Sequence, residues 1–425
     1  MKRIKTYKSG LRLIVDTNLK NTVSFKFVVN TGSYHEEESE FGFAHFMEHL
    51  MFKSSKKLSH EEFLEKFNFY GTTASASTGA YLTQFYFSCL KENFENLLEL
   101  YSQVIEDGEI NPELFEKEKQ VIIEEMHTRE ANHGRFLDYA MDEVYYKNTP
   151  LSHRILGYEE GIKNATLEAV NNFKSKHYKG NNVIITIAGG ISFSKAEKLL
   201  KKYYKSYFEG NAKPTERVYF ANEQQIAKPT LVVERDIPQG IVCIKFKSVE
   251  RGHRLEFAQN LYNKILGYSL GSRLSKEIRE RLGFVYAINS AYSYFFEAGD
   301  FFIEMAIQPK NIKEALQATR KVLKDVAENG VTDDELQAAK NIVRTNIAHD
   351  SEKYTNSGKN SKNYWELYFN KKQKTNKQIL KGVKSITKEQ VQEFAKLINN
   401  SAEFLVAGIG HNINEEDLKA FYENK

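Results

Sequence analysis

The chain repeats itself. The segment Thr166-Leu-Glu-Ala-Val-Asn-Asn-Phe173 returns as Thr387-Lys-Glu-Gln-Val-Gln-Glu-Phe394, 221 positions later. Glu113-Leu114 returns as Glu335-Leu336 after 222 positions, and Ala188-Gly189 as Ala407-Gly408 after 219. A nearly constant offset across three separate elements is the mark of a duplicated unit. A length of 425 residues suits two domains of about 200. The expected division is therefore residues 1–213, a linker at 214–229, and residues 230–425. The linker stretch is polar and carries Pro214 and Pro229.

Each copy mixes both periodicities. Residues 11–16 and 23–29 alternate as strands around a turn at 18–21, and 183–188 form a strand closed by Gly189-Gly190. Ser59-x-x-Glu62 is a capping box that opens a helix with Phe63, Leu64 and Phe67 on its apolar side. Phe94, Leu97, Leu98, Tyr101 and Ile105 follow helical spacing. The fold class is α+β: two homologous domains, each an antiparallel-rich sheet with helices packed on one face. Residues 72–83 are small and polar and read as one strand. Its edge either lies plainly exposed or receives the backbone of a ligand.

The copies part company where polar residues enter apolar faces. His45-x-x-Glu48-His49 sits among Phe46, Met47, Leu50, Met51 and Phe52. Positions four apart on a helix project about 40° apart, so both imidazoles leave from one face, with Glu48 beside them. Burying this trio is costly unless its members are paired or hold a metal. Asn111-Pro112 opens a later helix, Asn as N-cap and Pro at its first position. On it Leu114, Glu118, Val121, Ile122 and Glu125 form a stripe, which puts two carboxylates roughly 10 Å apart on a face that looks buried. His, His and Glu are a common three-ligand set for catalytic zinc. Glu125 fits the stripe and Glu124 is its neighbouring alternative. At the repeat offset Glu118 becomes Lys340 and Glu125 becomes Ile347, and Gly267-Tyr-Ser-Leu-Gly271 holds no histidine. One half carries the candidate metal site; the other does not.

The second half offers Arg279 and Tyr286, seven apart with Gly283 between them. Both are donors suited to a carbonyl or an oxyanion; a surface Arg beside a core Tyr is the plainer alternative. Basic and acidic residues number 60 and 56 and are spread along the chain, so nothing favours nucleic acid as a partner. Cys89 and Cys243 lie far apart in apolar runs and read as buried thiols of a reducing compartment. The first residues lack a signal-peptide apolar run, and no stretch is apolar enough for a membrane span. A cytoplasmic location is the expectation.

Taken together these motifs resemble the M16, or pitrilysin-type, metallopeptidases, most of all bacterial homologues of mitochondrial processing peptidase. The reversed order His-x-x-Glu-His is that of the inverzincins. The family pattern is met by Gly32, Ser33, Glu36, Gly42, Ala44, His45, Phe46, Glu48, His49, Phe52 and Lys53, and its Glu-x6-Glu element by Glu118 and Glu125. The resemblance covers essentially the whole chain. It implies one Zn2+ per chain held by His45, His49 and Glu125, with Glu48 as general base and Glu118 orienting the ligands. It also implies a catalytic Arg279/Tyr286 pair that grips the peptide, and the fold of mitochondrial processing peptidase. Many relatives have Asn-Ala-x-Thr on the strand that pairs with substrate; here it is Ser75-Ala76-Ser77-Thr78. The main chain of Ser75, Ala76 and Ser77 remains available for strand pairing. The family encloses extended or unfolded peptides in a chamber of four such domains. A chain with two then implies a homodimer, with Arg279 and Tyr286 of one copy facing the zinc of the other. A non-catalytic, peptide-binding chamber or subunit is the alternative, since the family includes members that have lost the motif.

Overall fold

The computed structural model describes residues 1–106, 108–216, 229–294, 299–352, 355–368 and 374–422. Most of the expected linker, 217–228, lies outside them. The chain divides into two compact units that are not consecutive stretches. Unit 1 comprises Met1–Thr128, His153–Arg217 and Lys353–Gln373; unit 2 comprises Arg129–Ser152, Val218–Glu352 and Lys374–Lys425. Each half of the sequence thus lends one segment to the other unit.

The sheet of unit 1 has six strands: β1 (Lys2–Thr6), β2 (Arg12–Thr17), β3 (Thr22–Val29), β4 (Ser75–Thr78), β5 (Thr83–Leu90) and β6 (Val183–Gly189). Their order is β1-β2-β6-β3-β5-β4. All neighbours are antiparallel except β2 and β6. Unit 2 has β7 (Thr230–Glu234), β8 (Gly240–Ser248), β9 (Val285–Tyr294), β10 (Gly299–Ile307) and β11 (Phe404–Gly410), in the order β7-β11-β8-β10-β9. Only β7 and β11 run parallel. Apart from β1 the two orders are the same, which is the duplication seen as topology.

One face of each sheet carries the main core. In unit 1, Phe25, Phe27, Phe85, Phe87, Ile185 and Ile187 meet Phe46, Leu97, Tyr101 and Tyr204 from the helices. In unit 2, Val242, Ile244, Phe301 and Ile303 meet Tyr262, Leu316 and Phe394. The reverse faces are covered too, each by a single helix, where the sequence had suggested helices on one face only. Strand β3 is buried from Val23 to Val29, so residues of both alternating sets are covered. In unit 1 the cover is helix Asn356–Tyr368, held by polar contacts. Asn356 Nδ2 donates to the Thr22 carbonyl (2.9 Å) and Asn360 Nδ2 to that of Ser24 (2.6 Å), while Lys26 Nζ donates to Ser361 Oγ. In unit 2 helix His133–Tyr145 lays Leu137, Met141 and Tyr145, spaced by four, over Cys243, Leu405, Ala407 and Ile409. Both cysteines are buried and free. Among the described residues no helix is long and apolar enough to cross a membrane.

Two local expectations change. Residues 72–83 are not one strand: β4 ends at Thr78, and a tight turn closed by Gly79 N–H to the Leu82 carbonyl leads into β5. A run of small polar residues gave no sign of that turn. The fixed repeat offset also fails locally. The unit 2 helix that follows β8 is Glu256–Leu266, so Gly267 to Gly271 lie beyond its end. The connection before it, 249–255, is shorter than residues 30–42 before the motif helix, and the offset drifts accordingly.

Candidate metal centre

The His-x-x-Glu-His motif falls on helix Phe43–Phe52, as expected. Its start is set by Gly42, whose φ of +95° disfavours any side chain; a Cβ there would also meet the Leu156 carbonyl oxygen at 2.5 Å. The first turn is capped from a distance. Glu36 accepts from the N–H of Gly42 through Oε2 (2.9 Å) and of Ala44 through Oε1 (2.7 Å), placing a carboxylate at the positive end of the helix. Burial pushes the Glu36 carboxyl up to about 8, against the two backbone bonds that favour its charge. His153 Nε2 lies 3.8 Å from it, with its ring stacked on Phe41. The apolar side of the helix is locked by Phe46 stacking on Phe115 of helix Pro112–Ala131, ring centres 5.0 Å apart.

That second helix brings the carboxylates. Its buried face is Phe115, Glu118, Lys119, Ile122, Ile123 and Met126. The stripe expected from sequence is rotated slightly: Val121 is exposed and Leu114 half-buried, and Phe115, Lys119, Ile123 and Met126 take their place on the buried face. Glu118 and Glu125 still point inward, and Glu124 is exposed.

One ligand atom from each of His45, His49 and Glu125 lies within 4.8 Å of the others. Glu125 Oε2 is 3.6 Å from His45 Nε2 and 3.4 Å from His49 Nε2. His49 Nδ1 is 3.2 Å from Glu118 Oε2, and Glu118 Oε1 takes an ion pair from Lys53. With Nδ1 held by Glu118, His49 Nε2 is turned toward Glu125, the usual way a carboxylate orients a metal-binding imidazole. Burial lowers the His49 pKa, but hydrogen bonds to Glu118 and Glu125 and the charges of Glu118 and Glu48 outweigh this and bring it to about 9. Burial opposes ionisation of Glu118, and its bonds to His49 and Lys53 prevail, leaving its pKa lowered. The cluster therefore holds more negative charge than its own cations balance, and attracts a proton where a metal dication would bind. Two imidazoles and a carboxylate from two locked helices fit Zn2+ in kind and number.

Glu48 lies half-buried on the same helix, and Thr78 Oγ1 donates to its Oε2 at 2.6 Å. Thr78 ends β4, the edge strand that also holds Ser75, Ala76 and Ser77. Among the described residues β4 pairs only with β5; Tyr101 Oη donates to the Ser75 carbonyl, and Ser77 Oγ accepts from Gln84 Nε2. Sequence reasoning left Thr78 out of the site, although it ends the Ser75–Thr78 strand; its contact to Glu48 depends on how two distant elements meet.

Arg279 and Tyr286 lie in unit 2. A π-helical stretch, Ser275–Arg281, is followed by Gly283 at φ +66° and by β9. This reversal sets the Arg279 guanidinium 5.8 Å from the centre of the Tyr286 ring. Tyr286 is 81% exposed, not a core residue, though it is large and apolar for the most part.

The fold and the His-His-Glu cluster define the class: a duplicated α+β chain with a candidate three-ligand metal group in one unit. Residues 12–159 match the family described as insulinase, peptidase family M16, and residues 164–343 match the M16 inactive domain. An uncharacterized zinc protease of Bacillus subtilis, YmxG, is 27% identical over 395 residues, 92% of this chain and 94% of that one. The crystal structure of an M16 inactive domain from Pseudomonas fluorescens superimposes with a TM-score of 0.86, 18% identity, and coverage of 97% and 98%. A Helicobacter pylori protease does so at 0.83, with 22% identity and coverage of 96% and 99%. The chain belongs to the M16 peptidase family.

Proposed function

We propose that the protein is a zinc endopeptidase for extended or unfolded peptides. The observation that carries this is the convergence of His45, His49 and Glu125, with Glu48 beside them and Glu118 fixing His49. Bound zinc supplies Lewis-acid polarisation and lowers the pKa of water toward ~7. Glu48 takes the proton of the attacking water and hands it to the departing amine. Glu118, anchored by Lys53, holds the His49 tautomer. The open edge of β4 takes a substrate strand by main-chain pairing along Ser75, Ala76 and Ser77. Arg279 and the exposed Tyr286 supply donors that hold and polarise the peptide. Two domains make half of the family's four-domain chamber, so the working form is a homodimer with one zinc per chain, acting in the cytoplasm.

The test is cleavage of unstructured, quenched fluorescent peptides by the wild type and Glu48→Gln, with bound zinc quantified in both. Wild type cleaves; the variant keeps its zinc and loses roughly a thousandfold in kcat. A wild type that binds zinc and cleaves nothing in a broad library would make the protein a peptide-binding chamber instead.

A further inference from the structure

The catalytic base and the peptide-docking edge are joined by one hydrogen bond. We infer that Thr78 is a positioning residue for Glu48, so that a peptide pairing with β4 improves the placement of the base as well as binding. The inference rests on the peptidase reading above and deepens it.

Three observations support it. First, the bond is short. Thr78 Oγ1 to Glu48 Oε2 is 2.6 Å, in the range of a hydroxyl donating to an ionised carboxylate. A glutamate reaches its carboxylate through three rotatable bonds, whereas threonine is stiff at χ1. The hydroxyl therefore restrains the mobile partner. Second, Thr78 itself is well fixed on one side only. It pairs with Thr83 of β5, and the turn after it is tied down by the Ser33 N–H to the Gly79 carbonyl and the Tyr34 N–H to the Ala80 carbonyl. On its other side, among the described residues, β4 has no neighbouring strand in the sheet. A substrate strand would add the missing row of main-chain bonds and narrow the positions open to Thr78. Third, Thr78 follows directly on Ser75, Ala76 and Ser77 in a four-residue strand. Pairing at those residues and order at Thr78 are then parts of one event.

Poor placement of a catalytic group by a fraction of an ångström to 1 Å costs up to a hundredfold. The effect belongs in kcat, because the Thr78 side chain grips the base and not the peptide. A longer peptide that spans β4 gains in kcat as well as in KM over a truncated one.

The experiment compares wild type, Thr78→Val and Thr78→Ser on one quenched fluorescent peptide and its truncations, with zinc content measured throughout. Thr78→Val keeps the shape of the strand and removes the donor. It loses about ten- to a hundredfold in kcat, with KM within about twofold, full zinc, and no kcat advantage for the longer peptide. Thr78→Ser restores kcat to within a few-fold of wild type. An unchanged kcat in Thr78→Val, or a serine variant as poor as valine, overturns the inference. A second readout needs no turnover: a double-mutant cycle of Thr78→Val with Glu48→Ala, read as Tm. The bond predicts a shift in the double variant about 2–4 °C smaller than the sum of the singles; strict additivity overturns it. If wild type cleaves no peptide while the cycle shows coupling, the contact stands and the peptidase reading fails.

Discussion

The two units share a strand order and differ in what they bury. In unit 1, helix Pro112–Ala131 buries Glu118 and turns Glu125 toward two imidazoles. In unit 2, the corresponding helix Asp333–Glu352 has Lys340 and Ile347 at the repeat offset. Lys340 Nζ donates to the carbonyls of Lys384 and Ile386, and Ile347 packs on the unit 2 core. Helix Glu256–Leu266 also buries a polar pair four apart, Gln259 and Asn263. Their amide oxygens are taken locally: Ser248 Oγ donates to Gln259 Oε1 and Ser290 Oγ to Asn263 Oδ1, both at 2.7 Å. The same scaffold thus accommodates buried polar groups in two ways. In unit 2 serine hydroxyls bond to the two amide oxygens. In unit 1 two imidazoles and a carboxylate converge within 4.8 Å, a group that could hold a metal ion.

The sharpest way to break this contrast is to exchange the residues. Glu125→Ile gives unit 1 the residue of unit 2, and zinc affinity falls by more than about a hundredfold, measured by competition with a chromogenic chelator. The reciprocal Ile347→Glu leaves one zinc per chain, because among the described residues only His45, His49 and Glu125 form a group arranged to hold a metal. A second zinc in that variant would show that the units differ less than the structure implies.

Removing the metal should act on one unit alone. Zinc at a hundred to a thousand times its Kd stabilises its host by about 2.7–4.1 kcal/mol. Chelation therefore lowers the unfolding temperature of unit 1 by several degrees and leaves that of unit 2 in place, read by calorimetry with hydrogen exchange to assign the transitions.

A smaller effect, of opposite location, comes from the reverse face of unit 2. Asp300 is buried, accepts from Tyr146 Oη, and has its carboxyl pushed up to about 6 by burial, against the attraction of Lys245. Its ordinary value is 3.8, so folding takes up a proton between the two. The stabilisation this gives is complete below pH 3.8 and is lost as pH rises through 6. Asp300→Asn should flatten that dependence and raise the unit 2 transition above pH 7 by a few degrees, on the order of 1–3 kcal/mol. In unit 1 the same face is held by Asn356 and Asn360, which do not titrate, so its unfolding should be unaffected by this substitution.

That face also shows where sequence stops being informative. The candidate His-His-Glu cluster was legible because its polar residues interrupt apolar helices at fixed spacings, and the duplication because three short segments recur at nearly the same offset. The exchange of covering helices was not legible. Leu137, Met141 and Tyr145 announce an apolar stripe without saying which sheet it covers, and Asn356 and Asn360 look like solvent-facing residues until their partners on β3 are known. Thr78 was hidden for a similar reason: a threonine at a strand end acquires a role only when the motif helix is packed beside it. Arg279 and Tyr286 were brought within reach of each other not by one continuous helix but by the reversal at Gly283.

The most direct test of the central claim is an anomalous difference map at the zinc edge from crystals of the wild-type protein. The account predicts one strong peak per chain, about 2.0–2.2 Å from a nitrogen of His45, a nitrogen of His49 and an oxygen of Glu125, and none in unit 2. A peak elsewhere, or no peak at those three residues in protein purified with zinc present, would contradict it.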